Sequence, residues 1–96
     1  MILSFSDAAA EDLFHGRPTG RTRRFPPDMV KIALRKLDML NAAPRIEDLR
    51  IPPGNRLEPL KGPLEGFFSI RINDQFRIVF RWTKGNAAAV RIEDHH

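Results

Sequence analysis

Three side chains in the C-terminal half of the chain could transfer protons. Glu58 is a carboxylate, and His95 and His96 are the last two residues, whose imidazoles titrate near neutral pH. Metal binding is a weaker interpretation, because Glu93-Asp94-His95-His96 offers few convergent ligands and adjacent strand residues point to opposite faces. The two histidines could also be a flexible tail or the remnant of an affinity tag. We therefore expect acid–base chemistry without a metal or any other cofactor.

The charge balance suits a polyanionic partner. The chain has 16 Lys and Arg against 12 Asp and Glu, a net charge of +4 and a sequence pI of about 10.3. Most of these cations are arginine, whose planar guanidinium matches the geometry of phosphate. Nucleic acid is favoured over a membrane because no amphipathic anchor accompanies the charge. The alternative is a basic protein neutralised by an acidic protein partner.

Length and composition indicate one domain, residues 1–96. The chain has no cysteine, which excludes disulfides and thiolate metal sites. Its first seven residues contain neither a basic segment nor a long apolar run, so we expect no signal peptide, no transmembrane helix and a cytoplasmic location. Nucleotide-binding glycine loops, nucleophile elbows and zinc-finger spacings are absent from the sequence.

The N-terminal half predicts a short strand and two helices. Residues 1–5 are predicted as a strand, and residues 8–15 as a helix capped by Ser6 or Asp7. Residues 16–27, rich in Gly, Pro and Arg, are predicted as a solvated loop; the alternative is a loop that binds phosphates or folds on a partner. A second helix begins near Pro27 and ends near Asn41.

From Arg56 onward the apolar residues alternate, which predicts an antiparallel meander with one apolar face covered by the helices. A short additional strand is expected before Lys61. Keeping the faces consistent requires a three-residue turn at residues 73–75, which pairs Ile70 with Ile78. A similar turn at residues 84–86 would pair Phe80 with Val90 and Ile78 with Ile92.

This register places four arginines on the polar face of the sheet: Arg71, Arg77, Arg81 and Arg91, with Ser69 among them. Four like charges on a small sheet repel one another, so the pattern favours an anion site over a merely solvated face. Lys61 is expected at the end of a short strand, where most lysines only increase solubility. On spacing alone it carries little functional weight.

Two segments of the chain resemble the HigB branch of the RelE toxin superfamily. One reads Ile-Pro-Pro-Gly-Asn-Arg-Leu-Glu-Pro-Leu-Lys-Gly over residues 51–62. The other reads Phe-Ser-Ile-Arg-Ile-Asn-Asp-Gln-Phe-Arg-Ile-Val-Phe-Arg-Trp over residues 68–82. The resemblance extends to Met-Ile-Leu-Ser-Phe at the start and Asp-His-His at the end, and covers essentially the whole chain.

The resemblance implies an α+β fold with two N-terminal helices on a twisted, mainly antiparallel sheet of four to five strands. It also implies a toxin of a type II toxin–antitoxin system that cleaves messenger RNA in the ribosomal A site. The implied partner is a HigA-type helix-turn-helix antitoxin, and operator DNA would be bound only through the toxin–antitoxin complex. A non-cleaving RNA- or ribosome-binding module of the same fold is the alternative, and a small DNA-binding regulator is a weaker one.

Lys61 and Arg77 match positions where relatives have catalytic basic residues, and His96 matches a terminal histidine. Glu58 stands where some relatives have His, and His95 where they have Tyr. In the expected reaction Glu58 or His96 is the base, and His96 or Lys61 is the acid. RNA contacts are expected from Arg56, Arg71, Arg91 and His95.

Overall fold

The computed structural model describes residues 1–94, so His95 and His96 lie outside the described residues. Within these residues, three α-helices and two short 3₁₀-helices (Ile46–Arg50 and Pro53–Asn55) precede a four-stranded antiparallel sheet whose strands lie side by side in chain order. The elements are α1 (Ala8–Phe14), α2 (Gly20–Arg23), α3 (Pro27–Ala42), β1 (Glu58–Pro59), β2 (Phe67–Arg71), β3 (Phe76–Thr83) and β4 (Asn86–Asp94). The α+β class is as predicted. Within residues 1–94, no helix is long and apolar enough to cross a bilayer.

The N-terminal segment lies parallel to β4 but, within residues 1–94, forms only two isolated bridges with it, at Ile2 with Ala87 and at Phe5 with Val90. The predicted strand at residues 1–5 is therefore only partly formed. Ala89, between the two bridges, has φ 51° and donates its backbone N–H to the Ser4 hydroxyl at 2.9 Å. This left-handed residue breaks the ladder of backbone hydrogen bonds that a continuous strand requires.

The helices begin where the sequence places their caps. The Asp7 carboxylate accepts a hydrogen bond from the Ala9 backbone N–H at 3.0 Å, and His15 is the C-cap residue of α1. Pro27 begins α3, where a missing N–H costs nothing. The prediction that residues 16–27 are entirely loop is wrong, because Gly20–Arg23 form the single turn of α2, with Thr19 as its N-cap.

The register of β2 and β3 is as predicted, with Phe68 opposite Phe80 and Ile70 opposite Ile78. The predicted turn between β3 and β4 is wrong. Lys84 and Gly85 alone form it, with φ 49° and 78°, as a two-residue turn with both central residues left-handed requires. The pairs Val79–Arg91 and Arg81–Ala88 then leave two residues of β4 opposite Phe80 alone, so the expected Phe80–Val90 pair is replaced by a β-bulge. The bulge restores the pairing of Ile78 with Ile92 and the sidedness of β4.

The core lies between the apolar face of the sheet and the helices. Ile70, Ile78 and Phe80 are completely buried, as are Leu37 and Leu40 of α3. Phe80 stacks on Phe68 with ring centroids 6.2 Å apart, and Trp82 contacts it edge-on. Trp82 packs against this core, as its position in the strand pattern predicts.

A buried lysine joins α3 to the end of β2. Lys36 is 6% exposed, and its ammonium donates a hydrogen bond to the backbone carbonyl of Arg71. Burial, together with the charges of Arg35 and Arg71, lowers the pKa of Lys36. Lys36 thus fixes the β2–β3 turn on the helix layer, a role that the helical pattern does not reveal.

Asp12 holds the basic segment that follows α1. Its nearly buried carboxylate accepts hydrogen bonds from Thr19 and Arg21, both at 3.0 Å, and lies 3.5 Å from the Arg17 guanidinium. Burial acts to raise the pKa of Asp12, but these hydrogen bonds and charges outweigh burial and hold the pKa below the ordinary 3.8.

Because the pKa of Asp12 is lowered by folding, its contribution to stability is complete above pH 3.8 and is lost as the pH falls through the folded-state value. We expect Asp12→Asn to lower the thermal midpoint at pH 7, and the difference from wild type to disappear well below pH 3.8. Thermal unfolding of wild type and Asp12→Asn from pH 7 to well below pH 3.8 measures this difference in midpoint. A difference of equal size at every pH would contradict the assignment.

Candidate active site

The outer face of the sheet brings charged residues from all four strands together. Glu58 of β1 pairs with Ser69 of β2, Ser69 pairs with Val79 of β3, and Val79 pairs with Arg91 of β4. These four residues form one row across the sheet. Arg77 lies in the neighbouring row, between Arg71 and Glu93.

Arg77 makes the most side-chain contacts of the predicted catalytic residues Glu58, Lys61 and Arg77. Its Nη1 donates to the Ser69 hydroxyl and to Glu58 Oε2, both at 3.3 Å. The Arg77 side chain is 24% exposed and that of Glu58 is 52% exposed, whereas Ser69 is buried. The guanidinium is thus anchored at its inner side and open to solvent at the other. The structure brings the predicted Glu58 and Arg77 into direct contact.

A pocket of about 210 Å³ lies beside this guanidinium. Its lining residues are Leu60, Leu64, Ser69, Arg77, Val79 and Glu93. A larger depression of about 540 Å³ lies between α1, α2 and α3 and has a mainly apolar lining. The pocket beside Arg77 is the candidate site, because it combines a fixed cation with neighbouring carboxylates that could transfer protons.

The segment that carries Glu58 and Lys61 is fixed at two points. Before Glu58, the buried Asn55 amide donates to the Leu49 carbonyl at 3.1 Å. Between Glu58 and Lys61, Leu60 donates its backbone N–H to the Phe67 carbonyl at 2.8 Å. Lys61 follows β1, as predicted, and is exposed between the pocket residues Leu60 and Leu64. Its ammonium makes no hydrogen bond or ion pair within residues 1–94.

The other predicted RNA-binding arginines are not all free. Arg71 pairs with Asp74 at the β2–β3 turn, and Arg91 donates to Glu93 at 3.1 Å. Arg56 is exposed, with φ 46°, two residues before Glu58. Three of the four arginines on the face therefore have carboxylate partners, including the Arg77–Glu58 pair. We expected a bound anion to offset the repulsion among these arginines, but carboxylates of the protein itself offset it.

Phe67 was not predicted as a site residue, and Arg81 was predicted only as one of the four arginines of an anion site. Phe67 lies opposite Arg81 on the outer face, and the Arg81 guanidinium carbon is 5.2 Å from its ring centroid. Arg81 has no carboxylate partner within the described part of the chain. The strand alternation already places Phe67 among polar residues, and this unusual position is the signal that could have identified it. Predictions for His95 and His96 fall outside the described residues.

Comparison with known proteins identifies relatives along the whole chain. A family model described as the RelE-like toxin HigB of a type II toxin–antitoxin system matches residues 3–96. Toxin HigB-1 of Vibrio cholerae serotype O1 is 41% identical over 95 residues, which cover 99% of this chain and 98% of that protein. Endoribonuclease HigB of Proteus vulgaris is 32% identical over 96 residues, the full length of both proteins.

Solved structures share the fold at lower identity. The YoeB–YefM complex from Staphylococcus aureus contains a chain that matches with a TM-score of 0.64 and 23% identity, covering 100% of this chain and 97% of that one. YafQ from E. coli BL21(DE3) matches with a TM-score of 0.60 and 14% identity, covering 99% and 92%. These structures confirm the predicted α+β architecture, and the sequence matches confirm the predicted family. The chain belongs to the HigB-like family, the RelE-like toxins of type II toxin–antitoxin systems.

Proposed function

We propose that this toxin is a metal-independent endoribonuclease that cuts messenger RNA in the ribosomal A site. The observation that carries the proposal is the Arg77 guanidinium, held by Glu58 and Ser69 beside a pocket of about 210 Å³. The Proteus vulgaris relative, named Endoribonuclease HigB, supports the reaction class. A fixed cation next to an exposed carboxylate suits phosphoryl transfer better than passive binding.

In the proposed reaction the 2′-hydroxyl of the target nucleotide attacks the adjacent phosphorus. The P–O bond to the 5′-oxygen of the next nucleotide breaks, leaving a 2′,3′-cyclic phosphate and a 5′-hydroxyl. The 2′-oxygen loses a proton and the departing 5′-oxygen gains one, so the reaction needs a base and an acid but no other reactant. Arg77 stabilises the charge on the phosphorane, and Lys61 holds the scissile phosphate or protonates the departing oxygen.

Glu58 is the base in this scheme. Its Oε2 is held by Arg77 at 3.3 Å, while Oε1 makes no hydrogen bond within residues 1–94 and can accept the proton of the 2′-hydroxyl. Either Lys61 or His96, which matches the terminal histidine of the family, is the acid. Arg56, Arg71, Arg91 and His95 contact flanking phosphates.

Glu58→Gln tests the base directly, because the amide oxygen can still accept the hydrogen bond from Arg77 but cannot take a proton. We expect a loss of about 10²–10⁴ in single-turnover cleavage rate. The control is Ser69→Ala, which removes the other Arg77 partner and keeps the carboxylate. If Glu58→Gln cleaves within threefold of wild type, Glu58 only positions Arg77.

As a toxin of a type II pair, the chain has a cognate antitoxin. We propose that this antitoxin is of the HigA type, with a helix-turn-helix domain, and that operator DNA is bound only by the complex. Electrophoretic mobility shift with the operator should therefore require the antitoxin. Binding by the isolated toxin at comparable concentration would contradict this division of roles.

Mapping RNA 5′ ends after induction separates cleavage from passive occupation of the ribosome. We expect new ends within translated codons that are absent when initiation is blocked. A non-cleaving module would stop growth without creating new ends. Ends that form equally in untranslated RNA would contradict the dependence on the ribosome.

A further inference from the structure

The outer sheet face carries an aromatic side chain with no part in the core. Phe67 is half-buried and lies outside the core cluster of residues 1–94, whereas its neighbour Phe68 stacks on buried Phe80. Ordinary sheet patterning places a polar residue at such an outward position. Core packing therefore does not explain why an aromatic ring lies on the solvent-facing side of the sheet.

Two guanidinium groups lie over this ring. The carbon atoms of Arg81 and Arg91 are 5.2 and 6.0 Å from the Phe67 centroid. Arg81 is exposed and has no ion pair within the described residues. An exposed cation–π contact is weak, so the Arg81 side chain can move aside or stack on a planar group inserted beside the ring. Arg91 is held in place by Glu93, to which it donates at 3.1 Å.

The distance from the Phe67 ring to the candidate active site suits two neighbouring nucleotides of one RNA strand. Phe67 and Ser69 are two residues apart on the same face of β2, a separation of about 6.7 Å. Ser69 holds Arg77 beside the pocket. A nucleotide whose phosphate lies at Arg77 therefore places its neighbour in an extended single strand close to Phe67.

We propose that Phe67, Arg81 and Arg91 form a base-stacking subsite for single-stranded RNA next to the cleavage position. The Phe67 ring stacks one nucleobase, and the two guanidinium groups flank that base and its phosphate. Since every base has an aromatic face, the subsite accepts all four and binds purines more tightly. The subsite rests on the proposed ribonuclease function and adds a substrate contact to it.

Two measurements on the full-length protein test the subsite. Short 2′-O-methyl RNAs that carry 2-aminopurine at successive positions report base stacking by fluorescence quenching, without cleavage. We expect wild type and Phe67→Tyr to quench at one position, and Phe67→Leu to quench little. On ribosomes programmed with messenger RNA, Phe67→Leu should raise KM about tenfold with kcat little changed. Phe67→Tyr should stay near wild type.

The control Arg45→Gln removes one exposed positive charge that is paired with Glu47. It should match wild type in both assays. No quenching by wild type at any position, or equal losses in Phe67→Leu and Phe67→Tyr, would overturn the subsite. A wild type that quenches 2-aminopurine but leaves messenger RNA intact would overturn the ribonuclease proposal alone. Cleavage that is identical in wild type and Phe67→Leu would overturn the subsite alone.

Discussion

Arg77→Ala is expected to abolish growth inhibition and to lower single-turnover cleavage by about 10²–10³-fold, the usual effect of removing one preorganised donor from a charged transition state. The reason is positional, because Arg77 is fixed through Ser69 and Glu58 with its outer side open to solvent. Arg77→Lys keeps the charge without the planar fork and should recover only part of the rate.

The same substitution should leave the fold intact. Arg77 is on the outer face of the sheet, so its removal lets water reach Ser69 and should cost about 1 kcal/mol of unfolding free energy. Arg45→Gln is the matched control, since it removes an exposed arginine from an ion pair away from the sheet. A folded Arg77→Ala toxin that stops growth as wild type does would refute the assignment.

Phe80→Ala is expected to have the largest effect on stability, about 3–5 kcal/mol. Phe80 is completely buried and contacts both Phe68 and Trp82, so truncation leaves a cavity in the centre of the core. The total free energy of unfolding of a domain of this size is roughly 5–15 kcal/mol, so the variant should be close to unfolding. Urea denaturation followed by the fluorescence of Trp82, the single tryptophan, measures the change.

Phe67→Ala is the matched comparison for this core substitution. It removes a phenylalanine side chain from the outer face instead of the core. Within residues 1–94, the ring contacts of Phe67 are those with the guanidinium groups of Arg81 and Arg91. We expect Phe67→Ala to lower the free energy of unfolding by about 1 kcal/mol. Equal costs for the two substitutions would contradict the assignment of Phe80 to the core and of Phe67 to the outer face.

Strand pairing was predictable where side chains have to be sorted between two faces. The alternation around Ile70 and Ile78 admits one register, because a shift of one residue would place arginines in the core. The turn after Thr83 was not predictable in this way. A three-residue turn and a two-residue turn followed by a bulge at Ala89 both keep Ile78 opposite Ile92.

The sequence predicted which cations lie at the candidate site, but not the carboxylates with which several of them pair. Register alone placed Arg77 on the outer face, and the family resemblance selected it together with Lys61. Pairing with carboxylates was missed for Arg71 and Arg91, because Asp74 and Glu93 approach them through local turn and strand geometry that a pattern does not contain. Lys36 was missed because a helix pattern treats lysine as exposed, whereas this side chain is buried and its ammonium donates to the Arg71 carbonyl.

The 2′-hydroxyl of the cleaved nucleotide provides the most direct test of the proposed chemistry. Purified toxin would be added to ribosomes carrying messenger RNA with either ribose or 2′-deoxyribose at the cleaved nucleotide. We expect the ribose substrate to give a 2′,3′-cyclic phosphate and a 5′-hydroxyl end, and the deoxyribose substrate to remain intact. Cleavage of the deoxyribose substrate, or 5′-phosphate ends from the ribose substrate, would contradict attack by the 2′-hydroxyl at the Arg77 site.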